Sequence, residues 1–240
     1  MKEILWVKSK HGRIYTEIEG ESKTAVLFFY GLFDSIDNSN SKLIKNNLIK
    51  NNISTISFDY IGHGKSEEDI NKISTSRILS DIDNIMSHIK NKFSKIFIYG
   101  NSFGGYLGII ASSRYKFIYG LILLNPVSNM IELLLRKQSE EELSKNTNKH
   151  NEINLFSKFI FFIDLFKYNI YLLSKKITCP VLHFHSVGDK MVPFKQSKKL
   201  NKNIESKKRF YPLKSDLHTL SDEKIKKFII PKIEEFIVKN

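Results

Sequence analysis

Five consecutive residues, Gly100-Asn101-Ser102-Phe103-Gly104, carry the strongest chemical signal in this chain. They follow the apolar run KIFIY and precede GYLGIIASS, which reads as a helix. A strand–turn–helix with serine at its tip holds the backbone in a strained conformation and lifts the hydroxyl clear of a sheet. Glycine is needed at 100 and 104 because side chains there would collide with the neighbouring strand and helix, and Gly105 leaves room for helix packing. A serine hydroxyl is a poor nucleophile until a base takes its proton. Histidine suits that role because its unperturbed pKa, about 6.5, lies near neutrality. A carboxylate then fixes the ring's tautomer and stabilises the imidazolium that forms. The competing reading of Ser102 is a structural serine in a Gly-rich turn.

The chain has seven histidines that could serve as the base. His63 lies in a Gly-His-Gly turn, where support of a loop is the expected role. His183 and His185 fall on or at the end of an apolar run, which favours core or loop packing. His11, His88 and His150 lie in a turn, a helix and a polar segment, remote from the serine in the expected layout. His218 stands in a loop ahead of the last helical segment.

These side chains need a scaffold, and the hydrophobic pattern supplies one. Leu5–Val7 and Arg13–Ile18 alternate in polarity around His11-Gly12, the pattern of an antiparallel pair. Ala25–Tyr30, Ile53–Phe58, Ile96–Tyr99, Leu121–Leu124 and Val181–His185 are apolar runs of the kind buried on both faces of a parallel sheet, and Arg209–Leu213 could add a last strand. Between them, Arg77–Lys90 places Ile78, Leu79, Ile82, Ile85, Met86 and Ile89 at helical spacing. The C-terminal Ile225, Phe228, Ile229, Ile233, Phe236 and Ile237 repeat the pattern, with Pro231 expected to kink or split the helix. Alternating strands and helices predict an α/β protein, doubly wound around a mostly parallel central sheet.

Residues 129–178 break the rhythm, being far longer than the usual connection of about 4–6 residues. Their second half, LFSKFIFFIDLFKYNIYLL, approaches the length of about 20 apolar residues that spans a bilayer, yet Lys158, Asp164 and Lys167 interrupt it at high cost. A small helical cap inserted after the sixth strand is expected instead. This divides the chain into a core of residues 1–128 and 179–240 and a cap of residues 129–178.

Composition narrows the class further. With 240 residues, 41% hydrophobic and 26% charged, the chain can bury a full core and is not expected to be disordered. One cysteine, Cys179, excludes an internal disulfide and reads as a buried, inert thiol. The net charge of +13 comes mostly from lysines scattered along the chain, not gathered with stacking aromatics, so no nucleic-acid partner is expected. Weak attraction to an anionic membrane surface stays compatible with it. The N-terminus carries no apolar stretch of signal-peptide length, so a cytoplasmic location is expected. His183-x-His185 lacks a cysteine or carboxylate pair beside it, and no H-E-x-x-H, C-x-x-C, P-loop or dinucleotide fingerprint occurs, so neither metal nor cofactor is expected.

Several motifs in order along nearly the whole chain resemble the α/β-hydrolase superfamily, in particular bacterial carboxylesterases of the cinnamoyl/feruloyl esterase and monoacylglycerol lipase type. Tyr30-Gly31-Leu32 resembles the His-Gly-x oxyanion loop, with tyrosine in place of the customary histidine. Asp59 to Ser66 is similar to the D-x-x-G-H-G-x-S turn, and Gly188-Asp189 with Val192-Pro193 to the acid-bearing loop. Asp216-Leu217-His218 falls where the family places its histidine. The resemblance implies Ser102 as nucleophile, His218 as base and Asp189 as the acid, with Asp216 as its backup, in the chain order of these enzymes. It also implies oxyanion donors at the backbone N–H groups of Leu32 and Phe103. The expected activity is hydrolysis of a small-molecule ester through an acyl-serine intermediate. Phe159, Phe161, Phe162, Phe166 and Tyr171 of the aromatic cap are expected to line an apolar acyl or aryl pocket, with Phe159, Phe162 and Phe166 the site residues singled out. Thioesterase or acyltransferase activity would use the same residues. An aminopeptidase could hold a substrate ammonium on Glu140, Glu141, Glu142 or Glu152, and a non-catalytic binding protein could keep the same shell. Oligomeric state is not legible.

Overall fold

The computed structural model describes residues 1–37, 39–134 and 154–240. Among them, β1 (Lys2–Ser9), β2 (Gly12–Glu19), β3 (Thr24–Phe29), β4 (Ser54–Phe58), β5 (Lys95–Asn101), β6 (Ile118–Leu124), β7 (Val181–Ser186) and β8 (Lys208–Leu213) form one sheet. Its order is β1-β2-β4-β3-β5-β6-β7-β8. β1 and β2 make the expected hairpin, and β2 joins β4 antiparallel. Every pairing from β4 through to β8 is parallel. The apolar runs form the central strands because both faces are covered: Val26, Leu27, Phe28, Phe97, Ile98, Leu121 and Ile122 are fully buried. From β3 the chain steps to β4 on one side, then crosses to β5 on the other. The carboxyl ends of β3 and β5 therefore flank a switch point, where an open α/β sheet leaves a crevice for a ligand.

The covering helices are α1 (Ser39–Lys50), α2 (Thr75–Ile89) and α3 (Phe103–Arg114). The stretch between β6 and β7 contributes α4 (Met130–Leu134), α5 (Leu155–Leu165) and α6 (Ile170–Ser174). α7 (Phe194–Asn203), a single helical turn at Asp222–Lys224 and α8 (Ile230–Lys239) follow. Ser74 caps α2 by accepting from the Arg77 N–H, and the anticipated stripe of Ile78, Leu79, Ile82, Ile85, Met86 and Ile89 is buried. At the C-terminus the expected break has a definite form. Residues Ile225–Ile229 make a π turn that runs directly into α8, with the Ile230 N–H donating to the Ile225 carbonyl, and Pro231, lacking an N–H to continue the ladder, follows this widened turn.

α5 shows how the apolar segment is used. Phe161 is buried and its ring packs on Phe103 with centroids 5.9 Å apart. Asp164 is also buried, accepting from the Ser76 N–H and, at 2.6 Å, from its hydroxyl, while Lys167 pairs with it at 2.7 Å. On this helix Phe159 and Phe166 are 58% and 59% exposed, whereas Phe161 is turned inward by the Asp164 anchor. Phe162 is half-buried and packs edge-on against Phe166 at 5.1 Å. Part of the expected cap, with Glu140, Glu141, Glu142, His150 and Glu152, lies outside the described residues. Among the described residues no helix is long and apolar enough to cross a membrane.

One buried group on α2 departs from its apolar pattern. Asp81 is fully buried, takes the Ser9 hydroxyl on Oδ1, and leaves Oδ2 without a partner among the described residues. Burial pushes its carboxyl up to about 6 from an ordinary 3.8. The fold therefore prefers the neutral acid, so ionisation weakens it progressively between about pH 4 and pH 6 and fully above that. Asp81→Asn keeps the Ser9 acceptor and removes the charge. Chemical denaturation is expected to show it more stable than wild type at pH 7.5, by at most about 3 kcal/mol, with the difference gone at pH 4. Equal stability of the two proteins at pH 7.5 would refute this account.

Candidate active site

Ser102 sits between β5 and α3 with φ 54° and ψ −118°, a region costly for any residue with a side chain. Neighbouring backbone holds it there. A Cβ on Gly104 would lie 2.1 Å from the Phe29 carbonyl oxygen, and one on Gly100 would lie 2.5 Å from that of Gly104. Only glycine permits β3, β5 and α3 to approach so closely. The turn is further pinned by the Ser102 N–H donating to the Leu124 carbonyl and the Val127 N–H donating to that of Ser102, both at 3.0 Å. Beside it runs the loop after β3: a Cβ on Gly31 would stand 3.9 Å from Ser102 Cβ. The backbone N–H groups of Leu32 and Phe103 donate to no acceptor among the described residues. Phe103 opens a helix, where the first N–H groups have no partner of their own.

Tyr30, in the position of the customary histidine, is buried, and its carbonyl accepts from the Tyr60 hydroxyl at 3.0 Å. The loop is also held from below. Asp59 is buried and accepts from the Ile36 and Lys65 N–H groups, each at 2.9 Å. Burial raises its carboxyl above the ordinary value, and those two donors oppose the rise. A Cβ on Gly64 would strike Asp59 Oδ2 at 2.2 Å, which explains a glycine in that turn. His63 bonds the Ile61 carbonyl through Nδ1 at 3.0 Å and stacks under Phe33, and burial lowers its pKa. Its geometry is that of a loop support.

At the far side of the crevice, His218 Nδ1 stands 2.7 Å from Asp189 Oδ2. Asp189 is buried, and its Oδ1 accepts from the Met191 and Val192 N–H groups, both at 2.9 Å. The carboxylate is thus aimed by backbone on one oxygen and presents the other to the ring. With Nδ1 so engaged, Nε2 is the atom left for a substrate-side proton. Ser102 Oγ makes no hydrogen bond to His218 or to any other described residue.

The residue linking the two sides escaped sequence reading. Asn125 follows β6, is fully buried and has φ 44°. Its Nδ2 donates to the His218 carbonyl at 2.6 Å, and its Oδ1 accepts from the Ser186 N–H at 2.8 Å. It adjoins Leu124, the acceptor for Ser102, so one side chain ties the loop carrying His218 to the strand end that fixes the serine. The available signal was an Asn-Pro pair directly after a strand, where asparagine tolerates positive φ. His183 and His185 are fully buried and bond Ser197 rather than each other. No group of three or more metal-ligating side chains occurs among the described residues. Burial pushes the Cys179 thiol up to about 11, consistent with an inert thiol.

Residues 20–153 match the family model for the serine aminopeptidases, S33 (Hydrolase_4). That is more than half of the chain, and this protein belongs to that family of α/β-hydrolases. The matched span includes Ser102 and the loop after β3 and ends ahead of Asp189 and His218. No curated protein sequence matches it significantly. Among solved structures it is similar to Est1E from Butyrivibrio proteoclasticus with ferulic acid bound, at 18% identity over 98% of each chain and a TM-score of 0.78. DcsB in complex with its substrate analogue is similar at 18% identity over 100% of each chain, with a TM-score of 0.80. The Pyrococcus furiosus esterase Pf2001 is similar at 15% identity, covering 100% of this chain and 90% of that one, with a TM-score of 0.77. At these identities the likeness is one of fold.

If Asn125 is the tie described, Asn125→Asp keeps the acceptor for Ser186 but sets a carboxylate oxygen against the His218 carbonyl. The expected cost is about 1–3 kcal/mol of stability and a lower kcat at little changed KM. A variant with wild-type denaturation midpoint and wild-type turnover would contradict it.

Proposed function

We propose that the protein hydrolyses carboxylic esters through an acyl-serine intermediate, with Ser102 as nucleophile, His218 as general base and Asp189 as its orienting acid. The observation that carries this is the pairing of His218 Nδ1 with Asp189 at 2.7 Å on the same rim of the sheet as a serine at φ 54°. His218 Nε2 takes the Ser102 proton as Oγ attacks the ester carbonyl. The N–H groups of Leu32 and Phe103 face the oxygen that gains charge, and preorganised donors there stabilise the transition state more than the ground state. The tetrahedral species collapses to acyl-Ser102 while His218 protonates the departing alcohol. Water, deprotonated by the same ring, then releases the acid.

Phe103, Phe33 and the inward-facing Phe161 give this crevice an apolar neighbourhood, with the exposed Val187 and Leu217 beside the acid and base. That favours apolar acyl or aryl esters over small charged ones, and the ferulic acid bound to Est1E is a ligand of that kind. Helices α4, α5 and α6 serve as the described part of a cap over the crevice in this reading. An aminopeptidase, the activity by which the matched family is described, needs a carboxylate for the substrate ammonium. The glutamates anticipated for it lie outside the described residues.

Purified protein is expected to cleave p-nitrophenyl acyl esters in preference to aminoacyl anilides and to label with a fluorophosphonate. Ser102→Ala should abolish both ester cleavage and labelling. Asp189→Asn should lower kcat by about 10⁴-fold, as loss of the correct tautomer does in other serine hydrolases. Turnover surviving in Ser102→Ala, or anilides cleaved faster than esters, would reject the proposal.

A further inference from the structure

Behind the acid lies a buried chain of hydrogen bonds whose direction is forced. His185 Nε2 is 2.9 Å from the Val192 carbonyl oxygen, which can only accept, so Nε2 carries the proton. Burial keeps this imidazole neutral, with its pKa pulled down to about 4. Its Nδ1 is therefore a bare acceptor, and the Ser197 hydroxyl at 2.7 Å must donate to it. Ser197 Oγ in turn accepts from His183 Nε2 at 2.9 Å. His183 Nδ1 ends the chain as a buried acceptor with no partner among the described residues. His183, His185 and the Ser197 side chain are all fully buried, and the cost falls on His183 Nδ1, the one atom of this chain of bonds left without a partner among the described residues.

What depends on this chain of bonds is the turn that aims Asp189. His185 holds the Val192 carbonyl, and the Val192 N–H holds Asp189 Oδ1 at 2.9 Å. The same His185 Nε2–H edge stands 3.6 Å from Asp189 Oδ2, the oxygen facing His218. In the opposite tautomer a lone pair would confront both the Val192 carbonyl and the carboxylate. We propose that His185, its tautomer fixed by Ser197 and His183, is a positioning residue that clamps residues 189–192 and keeps Asp189 Oδ2 directed at His218. This rests on the proposed roles of Ser102, His218 and Asp189. His185 itself neither touches substrate nor exchanges a proton during turnover.

The test compares His185→Leu, His185→Gln and Ser197→Ala with wild type on a p-nitrophenyl ester, with Ser102→Ala and His218→Ala as references. Circular dichroism and melting establish that each is folded. His185→Leu is expected to lose about tenfold to a hundredfold in kcat with KM within about twofold, a smaller loss than removal of the acid itself. His185→Gln, whose amide N–H can reach the Val192 carbonyl, should recover most of that loss. The low-field proton resonance of the His218 Nδ1–H should move upfield in His185→Leu and return in His185→Gln. A folded His185→Leu with wild-type kcat and an unmoved resonance overturns the proposal. Should His185→Leu not fold, Ser197→Ala decides: a severalfold fall in kcat supports the clamp, and unchanged kcat with unmoved resonance overturns it. Full turnover in Ser102→Ala or His218→Ala means the underlying triad reading has failed. Those two inactive beside wild-type His185 and Ser197 variants means that only the clamp has.

Discussion

The close approach of backbone around Gly104 governs the rest of the site. With a Cβ there only 2.1 Å from the Phe29 carbonyl oxygen, any other residue would drive α3 away from β3. That single contact brings together the strand end that carries Ser102 and the loop that offers the Leu32 N–H. It also explains how Ser102 keeps a backbone conformation that would relax in isolation. Strain of about 1–3 kcal/mol at one residue persists only when its surroundings over-determine it. Here glycines on both sides, the bonds to Leu124 and Val127, and the buried Phe103 ring do so.

The second half of the constellation depends on long-range bonds instead. Asp189 and His218 reside on loops after β7 and β8, and loops place side chains well only when tied to rigid elements. Asn125 supplies one tie and the Met191 and Val192 amides another. On the opposite flank, Asp59 and His63 brace the loop after β3. Buried polar groups thus surround the crevice on three sides, each paired to backbone and each holding one loop.

The strands were legible because a sheet covered on both faces demands uninterrupted apolar runs, and those runs stand out between polar breaks. α2 was legible through its period. The Gly-x-Ser-x-Gly turn was legible because its steric requirement is local, falling on residues adjacent in sequence. What could not be read was set by partners far away in the chain. Asp81 lies among the apolar positions of α2 because Ser9 of the hairpin meets it there. Phe161 rather than Phe159 or Phe166 faces inward because Asp164 finds Ser76. His183 and His185 alternate onto one face of β7, but nothing in β7 announces that Ser197 of α7 will stand opposite. Residues whose role is relational leave no periodic trace.

The last strand has a bearing on how these molecules behave toward one another. β8 borders the sheet, leaving one side of its backbone without a strand neighbour among the described residues, and an open border of this kind invites strands from other copies to add on. Its sequence, KRFYPL, opposes that in two ways. Lys208 brings a charge that two copies would have to press together, while Arg209 is paired with Glu235, and Pro212 removes a backbone donor from the ladder a newcomer would need. The far border, β1, carries Lys8 together with Lys2 and Glu3, which are paired to Glu17 and Lys92.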